Sequence, residues 1–308
     1  MPTQVPFVRA IDIDYGRVDQ VSPMIRRVTA NNPSPFTYKG TGTYIVGRGE
    51  VAVIDPGPID ETHLAALERT LHGERIAHIL ITHTHNDHSP LARAVQAKLG
   101  GRTFGYGPHG SGKAEEGVVA EEGGDMAFVP DVRVSDGTVI SGEGYTFECV
   151  FTPGHTSNHM CYALREERAL FSGDHVMGWS TTVIVPPDGD MASYMASLRK
   201  LLARDDAIFW PTHGPPITDP KPFLRALIAH REEREAQVIE CLKAGLTRIP
   251  EMVARIYADT DKRLWPAASL SVLAHLQKLI AEGRAHSDSP PSSDANFSLV
   301  PSPLVGEG

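Results

Sequence analysis

Ile76-Ala77-His78-Ile79-Leu80-Ile81-Thr82 runs without a break into His83-Thr84-His85-Asn86-Asp87-His88. The first half reads as a buried strand, and the second places four metal-type side chains in six positions. A strand end projects its side chains into a cleft at set positions. His83 and His85 are two apart, so in an extended segment they face the same side. Asp87 and His88 then fall on the turn into the next helix, and one segment can serve two metal ions. Neutral imidazoles with a carboxylate suit zinc, and iron and manganese also accept such sets.

Four ligands do not fill two coordination shells. Three more candidates stand just past other apolar strands: His155 in Thr152-Pro153-Gly154-His155, Asp174 in Ser172-Gly173-Asp174, and His213 in Pro211-Thr212-His213-Gly214. The flanking glycines let backbone approach a metal site closely. Any one of these histidines alone reads equally well as an ordinary side chain with a satisfied hydrogen bond. Seven matching positions at strand ends carry the argument together.

Outward from this segment, residues 42–55 predict two strands around a Gly47–Gly49 turn, and 60–72 a helix with Leu64, Leu67 and Leu71 at helical spacing. A short helix is expected at 90–99, a strand at 102–107, and a Gly- and Glu-rich loop at 108–125. Strands follow at 138–140, 145–151, 160–164, 169–172 and 207–211, with a helix at 190–204. The order is strand-rich with interspersed helices, an α+β pattern that two sheets with helices outside them would satisfy.

The stretch 215–222, PPITDPKP, reads as a linker. Helices are expected at 223–243, 247–257 and 267–283, with Thr247 as an N-cap, Pro250 in a first turn and Gly283 as a C-cap. The organisation expected is a catalytic domain over 1–220, a small helical domain over 221–286, and a Ser- and Pro-rich disordered tail over 287–308.

Composition narrows the function. Hydrophobic residues make up 41% of the 308, enough for a sizeable core. No run of about 18 apolar residues appears, so no transmembrane helix and no membrane partner is expected. The first residues, MPTQVPFVRAIDIDYG, lack the layout of a secretory signal, which makes the expected location cytoplasmic. Cys149, Cys161 and Cys241 are widely spaced and suggest neither disulfides nor a cysteine zinc site. A net charge of −9 weighs against tight binding to a nucleic acid backbone.

Together the HxHxDH, PGHTSNH, SGD and PTHGP segments resemble the metallo-β-lactamase superfamily over about residues 20–220. The resemblance implies a four-layer αββα sandwich with a dinuclear metal site on one edge. It implies that His83, His85 and His155 bind the first ion, that Asp87, His88 and His213 bind the second, and that Asp174 bridges them. Asp55, in the IDPG segment, would orient ligands from behind. Residues 223–285, with the stretch LAHLQKLIAEGR, resemble the small winged-helix-like domain of the β-lactamase-like protein 2 group.

Two zinc ions, with iron or manganese as alternatives, are the cofactors so implied. Two metals about 3.5–4 Å apart can share a hydroxide that attacks an electrophilic carbon or phosphorus. Asp87 is the candidate catalytic residue, holding that hydroxide and carrying a proton. His159 and His175 lie beside ligands and are open to three readings: support for a ligand, substrate contact, or a structural hydrogen bond. Tyr194 and Lys113 are candidate substrate contacts, and residues 179–190 a candidate pocket wall.

The primary expectation is hydrolysis of a small-molecule carboxyl thioester or ester. The alternative is cleavage of single-stranded RNA. Residues 223–285 carry ten Lys and Arg against eight Asp and Glu, too near neutral for a typical nucleic-acid reader. That domain is therefore expected to be a pocket wall or a homodimer contact. β-Lactam or lactone hydrolysis ranks lower. Dedicated β-lactamases commonly place a cysteine where Asp174 stands. A non-hydrolytic di-iron module ranks lower too, since no flavin-binding segment accompanies the site.

Overall fold

The computed structural model describes residues 3–110 and 123–301. Seven strands form the first sheet, in sequence order: β1 (Val18–Gln20), β2 (Ile25–Thr29), β3 (Gly42–Arg48), β4 (Glu50–Ile54), β5 (Arg75–Leu80), β6 (Arg102–Gly105) and β7 (Val132–Arg133). β1 to β4 pair antiparallel as hairpins; β4 to β7 pair parallel. The parallel crossovers carry α1 (Glu61–Thr70) and α2 (Ala92–Leu99). Asp60 caps α1 by accepting from the backbone N–H groups of Thr62 and His63.

The second sheet has five strands: β8 (Val139–Gly142), β9 (Tyr145–Phe151), β10 (Met160–Leu164), β11 (Ala169–Gly173) and β12 (Ile208–Pro211), in the order β12-β11-β10-β9-β8. α3 (Met191–Leu202) crosses between β11 and β12, which pair parallel. α4 (Pro220–Lys243) follows.

The strand period of two sorts the core into layers. Tyr44, Val46, Ile54, Phe147, Tyr162, Phe171 and Trp210 fill the space between the sheets. Ile45, Val51 and Val53 point the other way, onto Leu64 and Leu67 of α1 and Val95 of α2. Cys161, Ala163 and Leu170 face Met195 and Leu198 of α3 and Phe223 and Leu224 of α4. Helix, sheet, sheet and helix are thus stacked as the αββα sandwich, each fully buried large apolar side chain contributing about 1.5–3 kcal/mol.

A separate cluster organises the C-terminal helices. Val238, Cys241 and Leu242 of α4 pack with Ile249, Met252 and Val253 of α5 (Ile249–Ile256) and Val272, Leu276 and Leu279 of α6 (Trp265–Ala281). α4 therefore serves both cores, its first half in the sandwich and its second half here.

Several expectations need correction. The stretch 215–222 is not all linker: α4 already starts at Pro220, because proline is tolerated in a first helical turn. The N-cap position of α5 is Arg248 rather than Thr247, with Glu251 accepting from its backbone N–H. Residues 287–301 are not a disordered tail. β13 (Ala285–Ser287) and β14 (Phe297–Leu299) pair antiparallel, and Phe297 is buried against the C-terminal helices. Burial of Phe297 with Ala285 and Ala295 outweighs the polar composition around them.

Candidate metal centre

All the candidate strand ends meet along one edge of the sandwich. Bonds across the two sheets align them. Tyr162 Oη donates to the Ile81 carbonyl at 2.8 Å, Met160 N to Thr82 O at 2.7 Å, and Tyr44 Oη to Pro211 O at 2.7 Å. Glycine makes the closest approaches. Gly173 has φ +51, and a Cβ there would sit 2.6 Å from His159 Nε2 and 2.9 Å from Thr82 Cβ. Only a residue without a side chain lets Asp174 come this near the 82–88 segment.

Every residue of the seven is buried. His83 Nε2 lies 3.0 Å from His85 Nδ1, and His155 Nε2 lies 3.2 Å from the same atom. Beside this trio, Asp87 Oδ2 is 3.0 Å from His213 Nε2 and 3.3 Å from His88 Nε2. Asp174 stands between the groups: Oδ2 is 3.6 Å from His88 Nε2 and 3.9 Å from His155 Nε2, and Oδ1 is 3.4 Å from His213 Nε2. The donor atoms form three compact sets, His83–His85–His155, His83–His88–Asp174 and Asp87–His88–His213.

The outer nitrogens fix the tautomers. His155 Nδ1 donates to the Val183 carbonyl at 2.8 Å, His213 Nδ1 to Gly40 O at 3.1 Å, and His88 Nδ1 to Asp55 Oδ2 at 2.9 Å. Each leaves Nε2 pointing inward, the arrangement a ligating imidazole needs. Asp55 also accepts from Thr82 N at 2.8 Å, Thr82 Oγ1 at 2.7 Å and Thr212 Oγ1 at 3.0 Å, so it ties three strand ends together.

The two carboxylates draw positive charge to the centre, held either as protons on imidazoles or as a cation that displaces them. Burial holds His83 and His85 well below the ordinary imidazole range, so both stay neutral. Burial also acts to lower His88 and His213. Asp87, Asp174 and, for His88, Asp55 outweigh it, raising His88 well above its usual value and His213 to about 10. Burial would push Asp87 and Asp174 up, yet His88 and His213 hold both well down. Two ionised carboxylates lie among close-packed imidazoles, both largely buried, with Asp174 at the edge of the site. Among the described residues, His88 Nε2 and Asp174 Oδ1 have no hydrogen-bond partner. The nitrogen and oxygen donors fit two borderline divalent ions.

The remaining candidates divide. His159 touches the site: its Nε2 accepts from Asp174 N at 3.3 Å, and its Nδ1 is 2.9 Å from Thr152 Oγ1. His175 faces the other way, with its ring 4.8 Å from that of Tyr194. Burial lowers it to about 3, and neither ring nitrogen has a hydrogen-bond partner among the described residues. Tyr194 is not a substrate contact. It is 0% exposed, because α3 turns Met191, Tyr194, Met195 and Leu198 to the core as one stripe. Lys113 lies outside the described residues.

A cleft of about 330 Å³, including its open mouth, reaches His155 and Asp174. Pro35, Phe36, Met177, Trp179, Ser180, Thr181 and Val183 line it. Of the expected wall at 179–190, Trp179, Ser180, Thr181 and Val183 line the cleft, whereas Ile184 is buried in the core; Tyr38 stacks on Trp179 at 4.6 Å. Phe36, Tyr38 and Met177 carry no motif and are visible only in the fold.

Residues 39–213 match the model of the metallo-beta-lactamase superfamily. The chain belongs to that superfamily. Residues 249–290, which carry α5, α6 and β13, match the beta-lactamase associated winged helix domain. The chain is 35% identical over 236 residues to an atrochrysone carboxyl ACP thioesterase of Aspergillus fumigatus, covering 75% of this chain and 68% of that protein. It is 32% identical over 273 residues to a beta-lactamase-like protein 2 homolog of Caenorhabditis elegans, covering 86% and 87%. A metallo-beta-lactamase family protein from Thermus thermophilus shares the fold with a TM-score of 0.72 at 22% identity, over 91% of this chain and 100% of that one. Family and donor set together make the chain a metal-dependent hydrolase. No helix among the described residues is long and apolar enough to cross a membrane.

Proposed function

We propose that this hydrolase cleaves carboxyl thioesters or esters of apolar acyl groups, with two zinc ions held by His83, His85 and His155 on one side and Asp87, His88 and His213 on the other, Asp174 between them. The observation that carries the substrate class is the cleft wall. Pro35, Phe36, Met177, Trp179 and Val183 offer an apolar surface to an acyl chain next to the donor set. No Lys or Arg stands among the described residues lining it. An RNA strand would need such cations along its path. The relative named as a carboxyl ACP thioesterase supports the same reading.

Bound ions would activate water and polarise the acyl carbonyl. The chain's own groups set the stage. Asp87, ionised at the centre of the donors, is the acceptor for the proton that the attacking water gives up. Val183 O, Gly40 O and Asp55 keep three imidazoles in the tautomer that faces inward. Trp179 and Phe36 would cover the acyl side of a bound substrate.

A panel of acyl thioesters, aryl esters, lactones, a chromogenic β-lactam and single-stranded RNA tests the reading, alongside elemental analysis. Zinc at about two per chain, turnover of apolar acyl thioesters, and loss of that turnover on chelation or in His85→Ala are expected. RNA cleavage without acyl turnover would refute it, as would full activity in chelator-stripped protein.

A further inference from the structure

Arg231 belongs to α4, yet its side chain is buried between Thr182 and Tyr194 of α3. It is 4% exposed, and its Nη2 donates to the Thr182 carbonyl. Its guanidinium carbon lies 5.4 Å from the centroid of the Tyr194 ring. Among the described residues no carboxylate pairs with it. Burying a guanidinium is costly, and a carbonyl plus an aromatic face is a modest return unless holding that carbonyl in place matters.

Thr182 in turn bonds the backbone beside a candidate metal ligand. Its Oγ1 donates to Asp174 O at 2.7 Å, with His175 O at 3.0 Å. The next residue offers Val183 O to His155 Nδ1 at 2.8 Å. Two neighbouring residues thereby touch two donors from different strand ends, Asp174 after β11 and His155 after β9. Trp179, Ser180, Thr181 and Val183 of the same strap line the cleft. Tyr194, beneath the guanidinium, also backs the strand end of His155. A Cβ on Gly154 would lie 2.3 Å from Tyr194 Cα.

We propose that Arg231 is a positioning residue that sets the 179–183 strap from α4 and, through Thr182 and Val183, the placement of Asp174 and His155. The helix shared with the C-terminal unit is then part of the metal site's support. This inference rests on the reading of Asp174 and His155 as metal ligands.

The test is zinc affinity, measured on the full chain by competition with a chromogenic chelator, for wild type, Arg231→Met, Arg231→Lys and Thr182→Val. Arg231→Met keeps the apolar volume and removes the donor. Thr182→Val removes the hydroxyl alone and guards against a folding defect in the first variant. About 10–100-fold weaker zinc binding is expected in Arg231→Met and Thr182→Val, with partial recovery in Arg231→Lys. In zinc-saturated protein, kcat on an acyl thioester should fall more than KM rises. Lower thermal stability with wild-type zinc affinity in both Arg231→Met and Thr182→Val would overturn the inference, leaving Arg231 a packing residue. A wild-type chain that takes up neither zinc nor iron nor manganese would instead sink the metal-centre reading, and this inference with it.

Discussion

Asp55 shows how much one buried carboxylate can organise. It adopts φ +47, a conformation that aspartate and asparagine tolerate better than most side chains. Its two oxygens collect four donors, from Thr82, Thr212 and His88. Asp55→Asn keeps the backbone comfortable and turns one acceptor into a donor facing the His88 N–H and two hydroxyls. We expect about 10–100-fold weaker metal binding, because His88 loses the bond that sets its tautomer. A stability loss of about 1–3 kcal/mol should accompany it, from donors left without acceptors. Metal titration followed by denaturant unfolding of the metal-free protein checks both. Wild-type metal affinity in Asp55→Asn would show that His88 is held by its other neighbours.

At the scale of elements, the site depends on strand ends packing closely against helices. Gly154 precedes His155 and has φ +143, and a Cβ there would meet the Tyr194 backbone of α3. Gly154→Ala must therefore push the β9 end and α3 apart by more than a side chain can absorb. A displacement of about 1 Å at His155 is expected to lower kcat/KM on the order of 10²-fold. Steady-state kinetics with metal in excess, compared with the thermal midpoint, separate misplacement from unfolding. An active Gly154→Ala would mean that α3 yields without moving the histidine.

Across the whole molecule, buried neutral histidines set the response to acid. Between α4 and α6, burial drives His275 down to about 3, with Arg231 and Lys278 pushing the same way. Neither of its ring nitrogens has a hydrogen-bond partner among the described residues. His63 follows the same rule, lowered by burial to about 4. The unfolded chain, with ordinary histidines near 6.5, takes up protons that the folded chain refuses. Stability from these groups is thus complete above about pH 6.5 and is lost as pH falls toward the folded values. Thermal midpoints of the metal-free protein between pH 7 and pH 4.5 should fall, and less steeply in His275→Leu. Parallel curves would show that His275 is charged or solvated in the fold.

The sequence by itself pointed to seven candidate donors, which the fold brings together, to Asp55 behind them, and to most of the strands and helices that carry them. Donor types recur at strand ends whose apolar runs and Gly-Pro stops are local signals, legible without knowing what packs where. β1, β2, β7 and the β13–β14 hairpin escaped notice, since IRRVT hides buried arginines, β7 is two residues long, and the hairpin is anchored by the scattered Ala285, Ala295 and Phe297 in a polar stretch. Tyr194 as core, Phe36 and Tyr38 near the cleft mouth, and Arg231 on Thr182 were decided only by tertiary structure. Those contacts join residues dozens of positions apart, and their meaning comes from the partner across the gap, which no local pattern in the chain encodes.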